Sequence, residues 1–255
     1  MKRSLILATA CIVLASGAAQ ANERRFTLGY EAREVPAGTL ELEQWVTWKH
    51  NKRDNDSQYD RLDLREELEY SVTDKWRLAL YYDWRYTDGR SVDDDRTQFR
   101  DIALESLYVI RNATPEHLGV AIYGEIKDDA GYHEDFRALE GKIILTKDIG
   151  DWTVNWNGII EGEWEGEGLE EQTGVLGQTL GVSYGFGPRF SLGAEAQHEL
   201  EYADWDHQGE HVVYVGPVAS WRFGELWATL TPAVEVTDVE GEPEFMTRMI
   251  LGASF

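Results

Sequence analysis

The chain has 255 residues, a formal charge of −23, ten tryptophans, twelve tyrosines and a single cysteine. So acidic a chain is excluded as a nucleic-acid binder, because neutralising phosphates needs a surplus of Lys and Arg. Beyond the first 21 residues no run approaches the ~18 apolar residues of a membrane helix, so helical spans are excluded as well.

Lys2 and Arg3 precede a mostly apolar run, Ser4 to Ser16, and Ala19-Gln20-Ala21 is a small-x-small cleavage site. Residues 1–21 therefore read as an export signal removed after Ala21, with Asn22 as the mature N-terminus. Cys11 sits inside the apolar run with Ile12, Val13 and Leu14 still to come, so a lipoprotein box is the lesser reading. The mature chain then has no cysteine and no disulfide. Residues 22–38 are read as a periplasmic lead-in. Phe26, Leu28 and Tyr30 alternate, so an extra strand or a piece tucked into a lumen are the alternatives. Pro36-Ala37-Gly38 separates this segment from the first strand.

From residue 39 onward, blocks of about ten to twelve residues alternate between apolar and polar side chains, the period of a strand and not of a helix. In the first, Leu40, Leu42, Val46 and Trp48 oppose Glu41, Glu43 and Lys49. In the second, Leu62, Leu64, Leu68 and Tyr70 oppose Asp63, Arg65, Glu67 and Glu69. The third, Trp76 to Tyr86, is the cleanest. The fourth runs from about Phe99 to Ile110, and the fifth turns Leu118, Val120, Ile122 and Ile126 to one side. The sixth covers about Phe136 to Lys147, and the seventh sets Trp152, Val154, Trp156, Ile160 and Trp164 against Thr153, Asn155, Asn157, Glu161 and Glu163. Thr173–Tyr184, Arg189–Leu200, His211–Trp221, Trp227–Thr237 and Glu244–Phe255 complete about twelve strands. Pro217 and Pro232 weaken the tenth and eleventh, since each removes a ladder donor.

Joins expected to be long and polar alternate with joins expected to be short, which predicts outer loops and periplasmic turns with both termini on the periplasmic side. Aromatics gather at both ends: Tyr70, Trp76, Tyr108, Trp152, Tyr184, Phe190, Trp221, Trp227 and Phe255 near the short turns, and Trp48, Trp84, Tyr86, Trp164 and Phe245 near the loops. This is the pattern of two interfacial belts. The predicted fold is all-β, a transmembrane antiparallel up-and-down β-barrel over residues 39–255, in the outer membrane of a Gram-negative cell.

The segments VPAGTLELEQWVTW, LDLREELEYSVTDKWRLALYY, GVAIYGEI and LEGKIILTKDIGDW, together with the final TRMILGASF, resemble a family of proteobacterial outer-membrane barrels without an assigned activity. The resemblance covers most of the mature chain. It implies a porin-like small barrel and supplies no catalytic residues. The terminal Phe255 resembles the signal read by the barrel-assembly machinery, which makes that machinery an expected partner through the last strand. Ala253 departs from the bulkier residue usual at its position.

With these faces, the lumen receives Glu41, Glu43, Asp63, Glu67, Glu69, Asp83, Asp101, Glu105, Glu125, Glu140, Glu161, Glu163, Glu195, Glu199 and Glu235. Against them stand Lys49, Arg61, Arg65, Arg77, Arg85, Lys127, Lys142, Arg222 and Arg248. Charged linings select ions by Coulomb interaction, so the first reading is a passive channel for small hydrophilic solutes with a weak cation preference. The second is a structural or interaction barrel whose narrow lumen is plugged by salt bridges, helped by inward Trp45, Tyr81, Tyr123, Ile144 and Ile159. An outer-membrane lipid hydrolase comes third. His198 and His211 are its candidate bases, but no serine stands at a suggestive position, so the chain is read as a non-enzyme. No cofactor and no metal motif is present. Acidic runs in the outer loops (Asp93 to Asp95, Glu163 to Glu171, Asp204 with Asp206) read as solvated charge facing outer-membrane lipid and lipopolysaccharide. Bridging of those phosphates by Ca²⁺ is the alternative. Glu66 and Gln178 fall on lipid faces, where they would mark a register error, a bulge or a subunit contact.

Overall fold

The computed structural model describes residues 24–52, 56–88, 96–129 and 135–255. The expected signal peptide, Cys11 and the run Asp93 to Asp95 lie outside them.

Twelve antiparallel strands close into one barrel. They are β1 (Leu40–Lys52), β2 (Asp56–Thr73), β3 (Trp76–Asp88), β4 (Arg96–Arg111), β5 (Gly119–Asp129), β6 (Phe136–Ile149), β7 (Trp152–Glu165), β8 (Glu171–Gly185), β9 (Phe190–Ala203), β10 (His207–Phe223), β11 (Leu226–Glu235) and β12 (Pro243–Ser254). Each pairs with its neighbours in sequence, and β1 pairs with β12 from Glu41 opposite Ser254 to Lys52 opposite Pro243. Reciprocal bonds between the backbones of Leu40 and Phe255 seal the closure. Every strand thus has a partner on both sides, as hydrocarbon requires of a spanning sheet.

The period-2 pattern decides which side chains face out. Tyr81 is fully buried, while Leu80 and Tyr82 on either side of it are 50% and 39% exposed. The same alternation carries Leu104, Ile122, Ile143 and Leu180 outward and Glu105, Tyr123, Ile144 and Thr179 inward. At the end of the barrel where β1 begins and β12 ends, the near end, rings of Trp152, Tyr184, Phe186, Phe190 and Trp221 touch in series at centroid distances of 5.0, 4.9, 5.8 and 5.6 Å. They form a continuous aromatic ribbon at one edge of the apolar band. Trp227 does not belong to it. Its side chain is buried inside the barrel over Gly252, because β11 turns Leu226, Ala228 and Leu230 outward instead.

The expected alternation of long and short joins is not kept. Residues 204–206 connect β9 to β10 at the far end, while residues 112–118 connect β4 to β5 at the near end. The reason is that the ladders continue past the apolar band, so that far-end segments expected as loops are still paired strand: His207 opposes Ala203 and Asp60 opposes Asp88. Pro217 and Pro232 lie inside β10 and β11, in the stretch where the β10–β11 register is interrupted between Val215–Val234 and Ala219–Leu230.

Residues 24–35 do not hang below the barrel as a lead-in. They run inside it, and Phe26, Ala32 and Val35 are buried. The segment follows the inner wall around the near half of the lumen. It rejoins the near end where the Val35 amide bonds Asp74 O and the Gly38 amide bonds Ser71 O, then enters β1. It forms no ladder with any strand.

Candidate functional site

The inner wall offers this segment polar side chains spaced by the strand period. On β9, Glu195 accepts the Thr27 amide at 3.0 Å, the Thr27 hydroxyl at 2.8 Å and the Leu28 amide at 2.9 Å. Thr231 on β11 donates to the same carboxylate. On β7, Asn157 accepts the Tyr30 amide at 2.8 Å and donates to Tyr30 O at 3.0 Å, imitating a strand neighbour with one side chain. Thr146 on β6 accepts the Ala32 amide at 2.8 Å. A Cβ on Gly29 would lie 2.8 Å from both Asn155 Nδ2 and Thr179 Oγ1, so that position has no room for a side chain. Lower down, Arg33 forks onto Asp148 at 2.7 and 3.0 Å, and Arg25 donates to Thr153 at 2.9 Å. Buried backbone groups need partners, and here the wall supplies them.

Arg24 ends this strap in a cluster of buried charges. Its Nε bonds Glu43 at 2.9 Å, its Nη2 lies 3.6 Å from Glu67, and its guanidinium covers the rings of Tyr30 and Trp45 at 4.3 and 4.9 Å. Arg77 pairs with Glu69 at 3.0 Å, and the Tyr30 hydroxyl donates to Glu105 at 2.8 Å. One oxygen each of Glu67, Glu69 and Glu105 lies within 4.8 Å of the others. The two arginines supply the positive charge beside these three carboxylates. Next to them Tyr30, Ala32, Trp45, Leu107, Ile144, Trp227 and Ile250 pack as an apolar core. The near half of the lumen is therefore filled.

Above the strap, toward the far end, lies a cavity of about 450 Å³ floored by Thr27 to Tyr30. On its wall Asp63 is shared by Arg61 and Arg85, and Arg65 forks onto Asp83 at 2.9 and 3.1 Å while covering the Tyr81 ring at 3.5 Å. Lys127 bridges Glu125 at 3.0 Å and Glu161 at 3.2 Å, and Lys142 pairs with Glu140 at 2.8 Å. Eight cationic and nine acidic side chains line this space.

The residues expected in the lumen thus fall into separate places. Glu41, Glu43, Glu67, Arg77 and Glu105 meet around the strap's Arg24 end, where Ser254 donates to Glu41. Asp63, Arg65, Asp83, Arg85, Glu125, Lys127, Glu161 and Arg248 line the cavity. Glu195 lies beneath the strap. Glu235 caps the far end of β11 by accepting the amides of Thr237 and Asp238 at 2.6 and 3.0 Å. Arg222 stands at the near mouth, its Nε 3.5 Å from Gly224 O, apart from the cavity. Arg100 lines the cavity too and escapes the alternation rule. Trp84 opposes Phe99 and Tyr82 opposes Ile102, so Arg100 and Asp101 together face Asp83, the two-against-one count of a β-bulge.

The polar residues on the lipid face are ordered among themselves. Gln44 and Glu66 are cross-strand neighbours. Trp156 Nε1 donates to Gln178 at 3.3 Å, Gln178 Nε2 lies 3.4 Å from His198 Nδ1, and His198 Nε2 lies 2.8 Å from His211 Nδ1. Such a chain lowers the cost of polar groups in hydrocarbon by giving each a partner. His198 meets Gln178 and His211, and among the described residues no serine hydroxyl bonds it.

Comparison with known proteins agrees on the fold. The chain is similar to the crystal structure of the COG4313 outer membrane channel from Pseudomonas putida F1, with 14% identity and a TM-score of 0.64 over 88% of this chain and 98% of that one. It is also similar to the NanC porin, at 11% identity and a TM-score of 0.54 over 84% and 98%. A third similar structure is the β domain of the Bordetella autotransporter BrkA, at 11% identity and 0.57 over 86% and 100%. These likenesses establish an outer-membrane-type barrel. No curated protein matches the sequence. Residues 18–247 match the model of a family of unknown function, DUF6662, and the chain belongs to that family.

Proposed function

We propose that this barrel is a passive outer-membrane channel for small hydrophilic solutes, closed at rest by residues 24–35. The observation that carries the reading is the nature of the seal. The strap is held by side-chain hydrogen bonds and ion pairs rather than by strand pairing, and it lies between a charge-lined cavity and the near mouth. Release of the strap would uncover Thr146, Asn155, Asn157 and Thr179 on the wall, a polar path of the kind a porin lumen presents. The acidic excess of the lumen supports a weak cation preference. In this reading the signal is cleaved after Ala21, the near end faces the periplasm, the last strand engages the assembly machinery, and the far end meets lipopolysaccharide. No catalytic role is assigned.

The test is conductance of the purified mature chain in planar bilayers. We expect brief low-conductance openings whose reversal potential in a salt gradient favours cations modestly. A clear anion preference would overturn the selectivity. A second reading, a permanently closed structural barrel, is favoured by the apolar core around Tyr30 and Trp227. Silence in the bilayer, both for the intact chain and for variants with the strap's anchors removed, would establish it instead.

A further inference from the structure

We infer that the far-end cavity is a binding site for small zwitterions, molecules carrying one carboxylate-like anion and one ammonium-like cation. The inference rests on the channel reading for its purpose, since it names the solute class, but not for its geometry.

The charges around the cavity are sorted by strand. β12, β1, β2, β3 and β4 are contiguous in the barrel, and so are β5 to β9 on the opposite side. The first arc contributes Arg248, Lys49, Arg61, Arg65, Arg85 and Arg100, against Asp63, Asp83 and Asp101. The second contributes Glu125, Glu140, Glu161, Glu163, Glu165 and Glu199, against Lys127 and Lys142. One wall therefore carries a surplus of positive charge and the other a surplus of negative charge, although the cavity as a whole is nearly balanced. A lining of this kind has little net selectivity but a strong field across it, and low-dielectric walls focus that field.

The ion pairs of the cavity wall stay within one arc, and across the lumen Lys49 and Arg248 feel Glu199 only at longer range. Among the described residues, no carboxylate lies at ion-pair distance from Lys49, Arg100 or Arg248; the Arg248 Nε bonds Thr47 Oγ1 at 3.0 Å. Glu163 and Glu165 likewise meet no cation at that distance. A lone anion would meet the attraction of one wall and the repulsion of the other, and a lone cation the reverse. A zwitterion aligned across the lumen satisfies both. Between the walls, the uncharged residues Thr27 to Tyr30, Trp45 and Tyr123 also line the cavity, a surface suited to a short uncharged middle.

The test uses one skeleton in four charge states: alanyl-alanine, its N-acetyl derivative (anion), its amide (cation) and the N-acetyl amide (neutral). Each is titrated calorimetrically into the full mature chain in detergent, which needs no conduction and so separates this inference from the channel reading. We expect alanyl-alanine to bind at least tenfold tighter than any of the other three. Lys49→Gln with Arg248→Gln should bring the zwitterion down to the level of the cation. Glu163→Gln with Glu165→Gln should bring it down to the level of the anion. The heat-modifiable gel mobility of each variant verifies that the barrel has folded. Equal binding of zwitterion and anion, insensitivity to the Glu163 and Glu165 changes, or no saturable binding of alanyl-alanine to the intact chain would overturn the proposal.

Discussion

Glu195 is the side chain on which the strap most depends. It is buried, and it accepts two backbone amides and the hydroxyl of Thr27 from the strap. Bonds to a charged group are worth about 1.5–3 kcal/mol each, and not additively. Glu195→Ala should therefore cost the strap on the order of 3 kcal/mol, or about a hundredfold in the population released from the wall. Placing a cysteine at Leu28 gives the readout, because residues 22–255 contain no other cysteine. Its labelling by a water-soluble maleimide should be about a hundredfold faster in the Glu195→Ala background, following the opening equilibrium; an unchanged rate would mean that other anchors suffice. Arg24 makes the converse case. Arg24→Ala leaves the buried Glu43 and Glu67 without their cation, a loss of about 3–5 kcal/mol. Adding Glu43→Gln should recover part of it, read as the temperature at which the folded gel band is lost. These anchors were hidden from the sequence for a physical reason. Thr27 and Glu195 stand 168 residues apart, and nothing in the local pattern of either announces the other.

At the scale of elements, alternation was enough to orient most strands, because a single face in hydrocarbon forbids a one-residue slip. It failed where a strand departs from strict period 2 or mixes its faces. The bulge at Arg100 and Asp101 turns two consecutive side chains inward. In β11 the tryptophan shares its face with Thr229, Thr231 and Glu235, so its aromatic character pointed to a belt while its polar companions pointed to the lumen. The prolines resolve differently. Counting two residues in from Val215–Val234 and from Ala219–Leu230 sets Pro217 opposite Pro232. Two missing donors at one facing pair interrupt the ladder once rather than twice. A Cβ on the adjacent Gly216 would collide with Pro232 O, so the two backbones approach closely there. Replacing both prolines with threonine should restore ladder bonds worth about 0.5–1.5 kcal/mol each and raise the unfolding temperature. Either replacement alone should do about half as much, since the one restored donor still finds the carbonyl of the proline opposite, which accepts as any backbone oxygen does. No gain from either replacement would show that the two backbones do not form ladder bonds at this pair.

At the scale of the whole molecule, two different kinds of order share one barrel. The cylinder is held by ladders that close on themselves, and none of them includes residues 24–35. The near half of its lumen, by contrast, is packed around the strap like the interior of a soluble protein, with Leu107, Ile144, Trp227 and Ile250 against Tyr30 and Ala32. Deleting residues 24–35 should then separate the two. The ladders and the aromatic ribbon do not use the strap, so the shortened chain should still give the heat-modifiable mobility of a folded barrel. Its unfolding temperature should fall, because apolar area at about 25 cal/mol per Å² becomes wetted and Glu43 and Glu67 lose Arg24. In a planar bilayer the flickering expected of the intact chain should become steady conductance, still modestly favouring cations, since the carboxylates of the wall outlast the strap. If the shortened chain folds and stays silent, the remaining inward side chains, Trp45 and Trp227 first among them, close the lumen by themselves. Trp45→Ala with Trp227→Ala in the shortened chain then distinguishes a path blocked by two rings from a barrel with no path at all.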